Sequence, residues 1–409
     1  MHPVAGKTLP TKPTEDRISA MDTNVDLATD YVGLKLRNPV ILASAGTTEK
    51  VNLMKLGEEH GAGAVVMKSL FEKEVTRVAP TPRFRIIRHR IGRLQSFAFY
   101  SYEQASIWGP ERYSAEIAAA KRSLSIPVIA SINCVTDGGW VSYARAVENA
   151  GADALELNIS CPHSSVTFTG DRVVERIIEV ARAVRAAVKI PVVVKLSGQL
   201  TQPILVAKQL EATGVNGLVI FNRFTGLDID IESEQAVMHR GYAGHGGPWA
   251  IHYPLRWVSE LAPQTSLHLS GSGGVSSAAD VIKYLLAGAT TVQVCTLVYL
   301  EGFEVIEKLL RGLSDWMTRK GYRSVSQFRG KVSGKAILGV DEVDRRHVAV
   351  AEIDPEKCVA CGLCARICLY GAPAKEREAY RIAERCDGCG LCQELCPKSA
   401  IRMVQSAKL

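Results

Sequence analysis

Eight of the chain's eleven cysteines fall in two runs, Cys358-x2-Cys361-x2-Cys364-x3-Cys368 and Cys386-x2-Cys389-x2-Cys392-x3-Cys396. Thiolates at this spacing are ligands for iron–sulfur cubes, the fourth cysteine of each run reaching across to the other cluster. Cys358, Cys361, Cys364 and Cys396 are therefore assigned to one 4Fe-4S cluster, and Cys386, Cys389, Cys392 and Cys368 to a second. Structural zinc also uses C-x2-C pairs, but four cysteines per run, duplicated, favour the cubes. Leu369 stands where a proline is expected after the first run, which alters a turn and no ligand. A ninth cysteine, Cys161, follows the strand-like stretch from Asp153 to Asn158, where Ser160, Cys161 and Pro162 end the pattern. Just past a barrel strand, a thiol of ordinary pKa, about 8.5, can give up a proton. Elsewhere such a cysteine is a small buried hydrophobe.

What must position these groups is read from the rest of the chain. Its 409 residues are 47% apolar and 22% charged, enough for one large domain and one small one. No apolar run approaches the roughly 18–20 residues of a membrane span. The first twenty residues hold no apolar segment of the secretory kind, so residues 1–25 are expected as a flexible leader, with Met21 an alternative start. A cytoplasmic, reducing setting suits thiols that serve as metal ligands.

Short β-branched runs recur at Val40–Ala43, Ala64–Met67, Pro127–Ile132, Ala152–Leu157, Pro191–Lys195, Gly217–Ile220, Ser266–Leu269 and Thr291–Val294. Helical patterns lie between most of them, including Glu116–Ser123, Val141–Ala150, Val173–Val188, Pro203–Thr213, Leu255–Leu261 and Ala278–Ala287. Strands alternating with helices in this number predict an α/β fold, a (β/α)8 TIM barrel over residues 26–320. A connector at 321–348 and a small α+β ferredoxin-type domain at 349–409 follow. Gly63, Gly151, Gly214 and Gly288, each before a strand, are expected as left-handed helix caps. The connections 69–126 and 223–254 are too long for plain links and are expected over the catalytic face, as lid and cofactor wall.

Clusters pass single electrons, so the barrel should hold a group that trades them for a hydride, and a flavin is the natural one. Ser270-Gly271-Ser272-Gly273-Gly274 after the seventh strand and Cys295-Thr296 after the eighth form a phosphate cradle where barrels place one. Lys68 and Lys195, at strand ends, are cations for a reduced flavin ring. Two clusters and a flavin phosphate would each carry about −2, offsetting most of the formal charge of +7. The basic residues form no long run, which argues against nucleic acid.

Asn38-Pro39, Ala43-Ser44, Lys68-Ser69, the run from Asn158 through Cys161 to His163, Lys195, Asn222, Gly273-Gly274 and the cysteine tail together resemble the dihydroorotate and dihydropyrimidine dehydrogenase family. The resemblance covers nearly all of the chain after residue 25. It is strongest to bacterial members that fuse an FMN barrel to a C-terminal ferredoxin domain. It implies FMN held by Ala43, Ser44, Lys68, Ser69, Asn158, Lys195, Asn222, Gly247, Gly273, Gly274, Cys295 and Thr296. It also implies Cys161 as the acid that protonates the carbon beside the one exchanging hydride with flavin N5. Implied partners are a second copy or higher oligomer and an external electron donor or acceptor, a ferredoxin or an NAD(P)H-binding flavoprotein subunit. No dinucleotide fingerprint is present in this chain.

Ser101, Asn158, His163, Asn222 and Arg223 are the expected substrate contacts. Two depart from the family pattern: Ser101 stands where the family has an asparagine, and Arg223 where it has a small hydroxyl residue. The loop from Ser164 to Gly170 is also short. A site that hydrogen-bonds a particular edge discriminates steeply, so these changes bear on substrate more than on chemistry. Arg223 either receives an anionic group such as a carboxylate, or faces solvent or pairs with Asp228 or Asp230. The expected reaction is hydrogen exchange across an activated C=C/C–C bond, that of uracil or thymine first and another, possibly anionic, cyclic enone or enamide second. A non-catalytic flavin and iron–sulfur relay is the rival.

Overall fold

The computed structural model describes residues 25–72, 81–91, 94–102, 108–159, 169–240, 242–343, 349–376, 378–383 and 385–405. The chain divides into two compact units, residues 1–337 and 338–409.

The first unit is built on eight parallel strands: β1 (Val40–Leu42), β2 (Ala64–Val66), β3 (Val128–Asn133), β4 (Ala154–Asn158), β5 (Val192–Lys195), β6 (Gly217–Ile220), β7 (His268–Ser272) and β8 (Thr291–Val294). Each pairs with its neighbour in chain order, and β8 returns to β1, so the sheet closes into the expected barrel. Alternation along each strand sorts the side chains. Val40, Leu42, Leu155, Leu157, Val192 and Val194 face outward into the large core shared with the helices. Ile41, Ala64, Val66, Ile129, Ala154, Val193 and Val219 face inward and pack on Tyr31, Val32 and Leu36. These last three belong to a hairpin, Thr29–Tyr31 with Leu34–Leu36, that turns at Gly33 and closes the barrel's lower end. Above the apolar layer the interior turns polar, with Ser131, Glu156, Lys195, Ser270, Thr291 and Gln293 all buried.

The expected elements shift in places, for local reasons. Strand β7 runs through Ser272, because Ser270–Ser272 pair with Thr291–Gln293; only Gly273 and Gly274 are left for the loop. Positive φ occurs at Gly61 and not Gly63, whose Cβ would instead meet the Asn38 carbonyl at 2.2 Å. A helix over Val51–Glu59, unmarked by any capping side chain, joins β1 to β2. Pro110 at the first turn starts the next helix six residues earlier than the apolar pattern does.

The two long connections meet. Strands Phe84–Ile91 and Leu94–Ser101 from one, and Phe224–Gly226 and Ala243–Gly246 from the other, form a single four-stranded antiparallel sheet. Residues 321–337, read as connector, lie within the barrel unit. Phe328 is fully buried against Trp316 and Tyr322, and the Gly330 and Val332 amides donate to the Leu285 and Leu286 carbonyls. Among the described residues no helix is long and apolar enough to cross a membrane.

The second unit is a small two-fold arrangement. Strands Ala349–Ile353 and Ile401–Gln405 pair antiparallel, as do Pro373–Glu376 and Ala379–Ile382. Two five-residue helices, Leu363–Ile367 and Leu391–Leu395, each start after a left-handed glycine, Gly362 and Gly390.

Candidate active site

The C-terminal ends of the barrel strands and the four-stranded sheet enclose one cleft, about 1530 Å³ to its open mouth as bounded by the described residues. All twelve residues expected around FMN line it: Ala43, Ser44, Lys68, Ser69, Asn158, Lys195, Asn222, Gly247, Gly273, Gly274, Cys295 and Thr296. Ser101 and Arg223 line it as well. Cys161 and His163 lie outside the described residues. Of the other scattered cysteines, Cys295 lines the cleft, while Cys134 is buried elsewhere and burial pushes its thiol up.

One side of the cleft is a hydrogen-bonded polar chain. Ser69 Oγ lies 3.0 Å from Ser44 Oγ and 2.7 Å from Ser131 Oγ. Asn158 Nδ2 donates to Ser69 Oγ at 3.2 Å, and Asn222 Nδ2 donates to Asn158 Oδ1 at 3.0 Å. The two lysines are each tied to one carboxylate. Lys68 Nζ is 3.1 Å from Glu49 and Lys195 Nζ is 3.3 Å from Glu156, with Gln293 Oε1 accepting from Lys195 at 2.8 Å. All of these side chains are oriented by partners before any ligand arrives.

An aromatic cluster borders the cleft through Phe99, Tyr299 and His245. Phe84, Phe99 and Tyr299 stack with centroids 4.9–5.8 Å apart. His245 stacks between Tyr100 and Trp249 at 5.2 and 5.4 Å. Burial pushes its imidazole below the ordinary value. None of this wall was singled out from sequence. Its signal was the alternation Phe97, Phe99, Ser101 along one strand, which faces the cleft. Glu156 and Gln293 were also missed; each is a polar residue at an inward position of a fully buried strand.

The two departures from the family pattern touch each other. Arg223 Nη1 donates to Ser101 Oγ at 2.8 Å, and the Arg223 amide donates to Asn222 Oδ1 at 2.8 Å. The arginine stem lies where a side chain at Gly244 would be, a Cβ there falling 2.2 Å from Arg223 Cδ. It forms no ion pair with Asp228 or Asp230.

In the second unit the thiols rim two hollows. Cys358, Cys361, Cys364 and Cys396 share one, and Cys368, Cys386 and Cys389 the other, with Cys392 bordering both. The grouping puts Cys368 and Cys396 each with the opposite run. Among the described residues no three His, Cys, Asp or Glu side chains converge on a point that suits a single metal ion. Backbone amides of Ala372, Ala400 and Ala351 donate to Cys368, Cys396 and Cys386 sulfur at 3.3–3.4 Å. Leu369 is 91% exposed, as befits a turn residue with no ligand role.

Comparison with known proteins gives the same division. The dihydroorotate dehydrogenase family profile matches residues 26–317, and two 4Fe-4S binding domain profiles match residues 350–373 and 379–402. The catalytic subunit of dihydroorotate dehydrogenase B (NAD(+)) from Pyrococcus abyssi is 30% identical over 308 residues, 74% of this chain and 98% of that protein. Subunit PreA of the NAD-dependent dihydropyrimidine dehydrogenase of Escherichia coli K12 is 27% identical over 359 residues, 85% of this chain and 86% of that protein. The Thermoplasma acidophilum dihydroorotate dehydrogenase B catalytic subunit is 29% identical over 309 residues, 75% of this chain and 98% of that protein.

Proposed function

The chain belongs to the dihydroorotate dehydrogenase family, and from that premise we propose that it is an FMN- and iron–sulfur-dependent oxidoreductase acting across the 5,6-bond of uracil or thymine. The observation that carries this reading is the convergence of all twelve expected FMN residues on one cleft. The cleft also fits the group in detail. Gly274 has φ +74°, and any Cβ there would fall 2.3 Å from the Ile251 amide nitrogen, so only glycine fits where this loop lines the cleft. Gly273 beside it, with φ +105°, and Cys295-Thr296 complete a cradle for a phosphate. Lys195 and Asn158 supply polar contacts for a ring, and Phe97 and Phe99 add apolar surface to the same lining.

A flavin held by these residues would supply hydride exchange with a substrate carbon, and iron–sulfur clusters in the second unit would supply single-electron transfer. Asn158 and Asn222, joined by a hydrogen bond, present amide groups to the edge of a ring lactam. Cys161 gives a proton to the carbon beside the one receiving hydride, or takes it in the reverse direction. The sheet of the two long connections keeps water from the reacting face. Eight thiolates hold two 4Fe-4S clusters, Cys358, Cys361, Cys364 and Cys396 around one and Cys386, Cys389, Cys392 and Cys368 around the other. A second subunit or ferredoxin supplies or removes the electrons, and the chain works in the cytoplasm as a dimer or larger assembly.

The Arg223–Ser101 hydrogen bond favours a second reading, the same chemistry on a ring that bears an anion. A guanidinium has five donors, and among the described residues no carboxylate neutralises this one. Anaerobic titration of the reduced protein with uracil, thymine and a carboxylate-bearing pyrimidine separates the readings. Reoxidation of the flavin by the first two supports the neutral substrate, and by the third alone the anionic one. Reoxidation by none of them sinks both.

A further inference from the structure

Among the described residues of the barrel interior, Glu156 is an acidic side chain that the proposed chemistry does not use. Glu156 is 1% exposed, on the inward face of β4. Its Oε1 lies 3.3 Å from Lys195 Nζ, and its Oε2 accepts from Gln293 Nε2 at 2.7 Å. Gln293 Oε1 in turn accepts from Lys195 Nζ at 2.8 Å, closing a ring of three hydrogen bonds. An ammonium has three donors; two are spent on this ring, and the third remains for the cleft that Lys195 lines.

Apolar side chains lie directly beneath. Ala154 precedes Glu156 on the inward face of β4 and Val193 precedes Lys195 on β5, both in the core that seals the barrel floor. A carboxylate in such a place is costly unless its pairing offsets the desolvation. Lys195 is buried too, so the two charges compensate each other inside the barrel wall.

We propose that Glu156 is a positioning residue that, through Lys195, holds down the reduction potential of the flavin in this cleft. The inference rests on the FMN reading above. Reduction adds negative charge to the ring, which a lone lysine cation favours; the carboxylate behind it cancels part of that field. Gln293 bonds to both partners and keeps their separation fixed, so the compensation is built into the barrel wall.

The test is a spectroelectrochemical titration of the intact, anaerobically purified holoenzyme. Glu156→Gln keeps the shape and hydrogen-bonding capacity and deletes the charge. At a fixed ambient potential the ratio of reduced to oxidised flavin should rise about tenfold, about 30 mV for a two-electron couple. Lys195→Met should lower it. Because a broken buried pair can unfold a barrel, the double variant Glu156→Gln/Lys195→Met, which leaves no unpaired charge, is compared with Lys195→Met: with the lysine gone the glutamate has nothing to act through, and the two ratios should agree within about twofold. Glu156→Gln protein that binds one flavin per chain with the wild-type poise, or a double variant whose ratio exceeds that of Lys195→Met about tenfold, overturns the proposal. Wild-type protein that binds no flavin overturns the FMN reading instead.

Discussion

Replacing Gly274 by alanine is the most quantitative probe of the phosphate cradle. At φ +74° an L side chain costs about 1–2 kcal/mol relative to glycine. The added Cβ would also lie 2.3 Å from the Ile251 amide nitrogen and 2.5 Å from its Cβ, and backbone cannot step aside as a side chain can. Overpacking of this kind costs about 1–3 kcal/mol. The loop relieves the overlap by moving off Ile251, and the amides offered to the phosphate move with it. If the combined cost of about 2–5 kcal/mol falls on flavin binding, affinity drops roughly 30-fold to a few thousandfold, at about 1.4 kcal/mol per tenfold. Gly273→Ala meets only Pro254 Cγ at 3.9 Å, so it carries the conformational cost alone, roughly 5- to 30-fold. Gly138→Ala, in open space on the helix Asp137–Asn149, should leave affinity within about twofold. The assay is quenching of FMN fluorescence on titration into each apoprotein, with a thermal melt to show that the barrel is folded. Wild-type affinity in Gly274→Ala, or equal losses in all three variants, would refute the reasoning.

Cys161→Ala should lower turnover by about 10²–10⁴-fold with flavin retained, and steady-state rates beside flavin content will show an unchanged rate if the thiol is not the acid. Arg223→Ser should cut kcat/KM for a carboxylate-bearing ring by about 10- to 150-fold, the worth of a charged hydrogen bond of about 1.5–3 kcal/mol. It should leave uracil nearly unaffected; parallel losses on both substrates would assign the arginine to folding. Burial holds the His245 imidazole below its ordinary value of 6.5, so below that pH the unfolded chain takes up a proton the folded chain refuses. Stability is therefore complete above about pH 6.5 and falls as the pH drops below it. His245→Phe, which keeps the stack with Tyr100 and Trp249, should flatten part of the fall in Tm between pH 7.5 and 5.5. His268, shifted the same way by burial, accounts for some of the remainder. An identical pH profile in the variant would refute the assignment.

The barrel was legible because its strands are short apolar runs punctuated by glycine, and period and spacing are local properties. The two cysteine motifs were legible for the same reason, and Cys396 and Cys368 each share a hollow with thiols of the opposite run, as the spacing led one to expect. The helix Val51–Glu59 was not, since neither a capping side chain nor an acidic first turn marks its start. The aromatic wall was hidden because it joins residues from two connections more than a hundred positions apart, through strands that pair only in the folded chain, such as Tyr100 with His245. The same distance concealed the Arg223–Ser101 contact: each departure could be seen singly, and their meeting could not. Glu156 lay inside the stretch of greatest interest, yet a charged residue between two leucines gives no hint of which barrel strands will supply its partners.

The central claim is tested most directly by the visible spectrum of protein purified without oxygen, together with chemical counts of flavin and iron. About one FMN and about eight iron atoms per chain are expected, with a yellow-brown spectrum that bleaches on reduction. Colourless protein with neither flavin nor iron, from a preparation that melts cooperatively, would contradict the account.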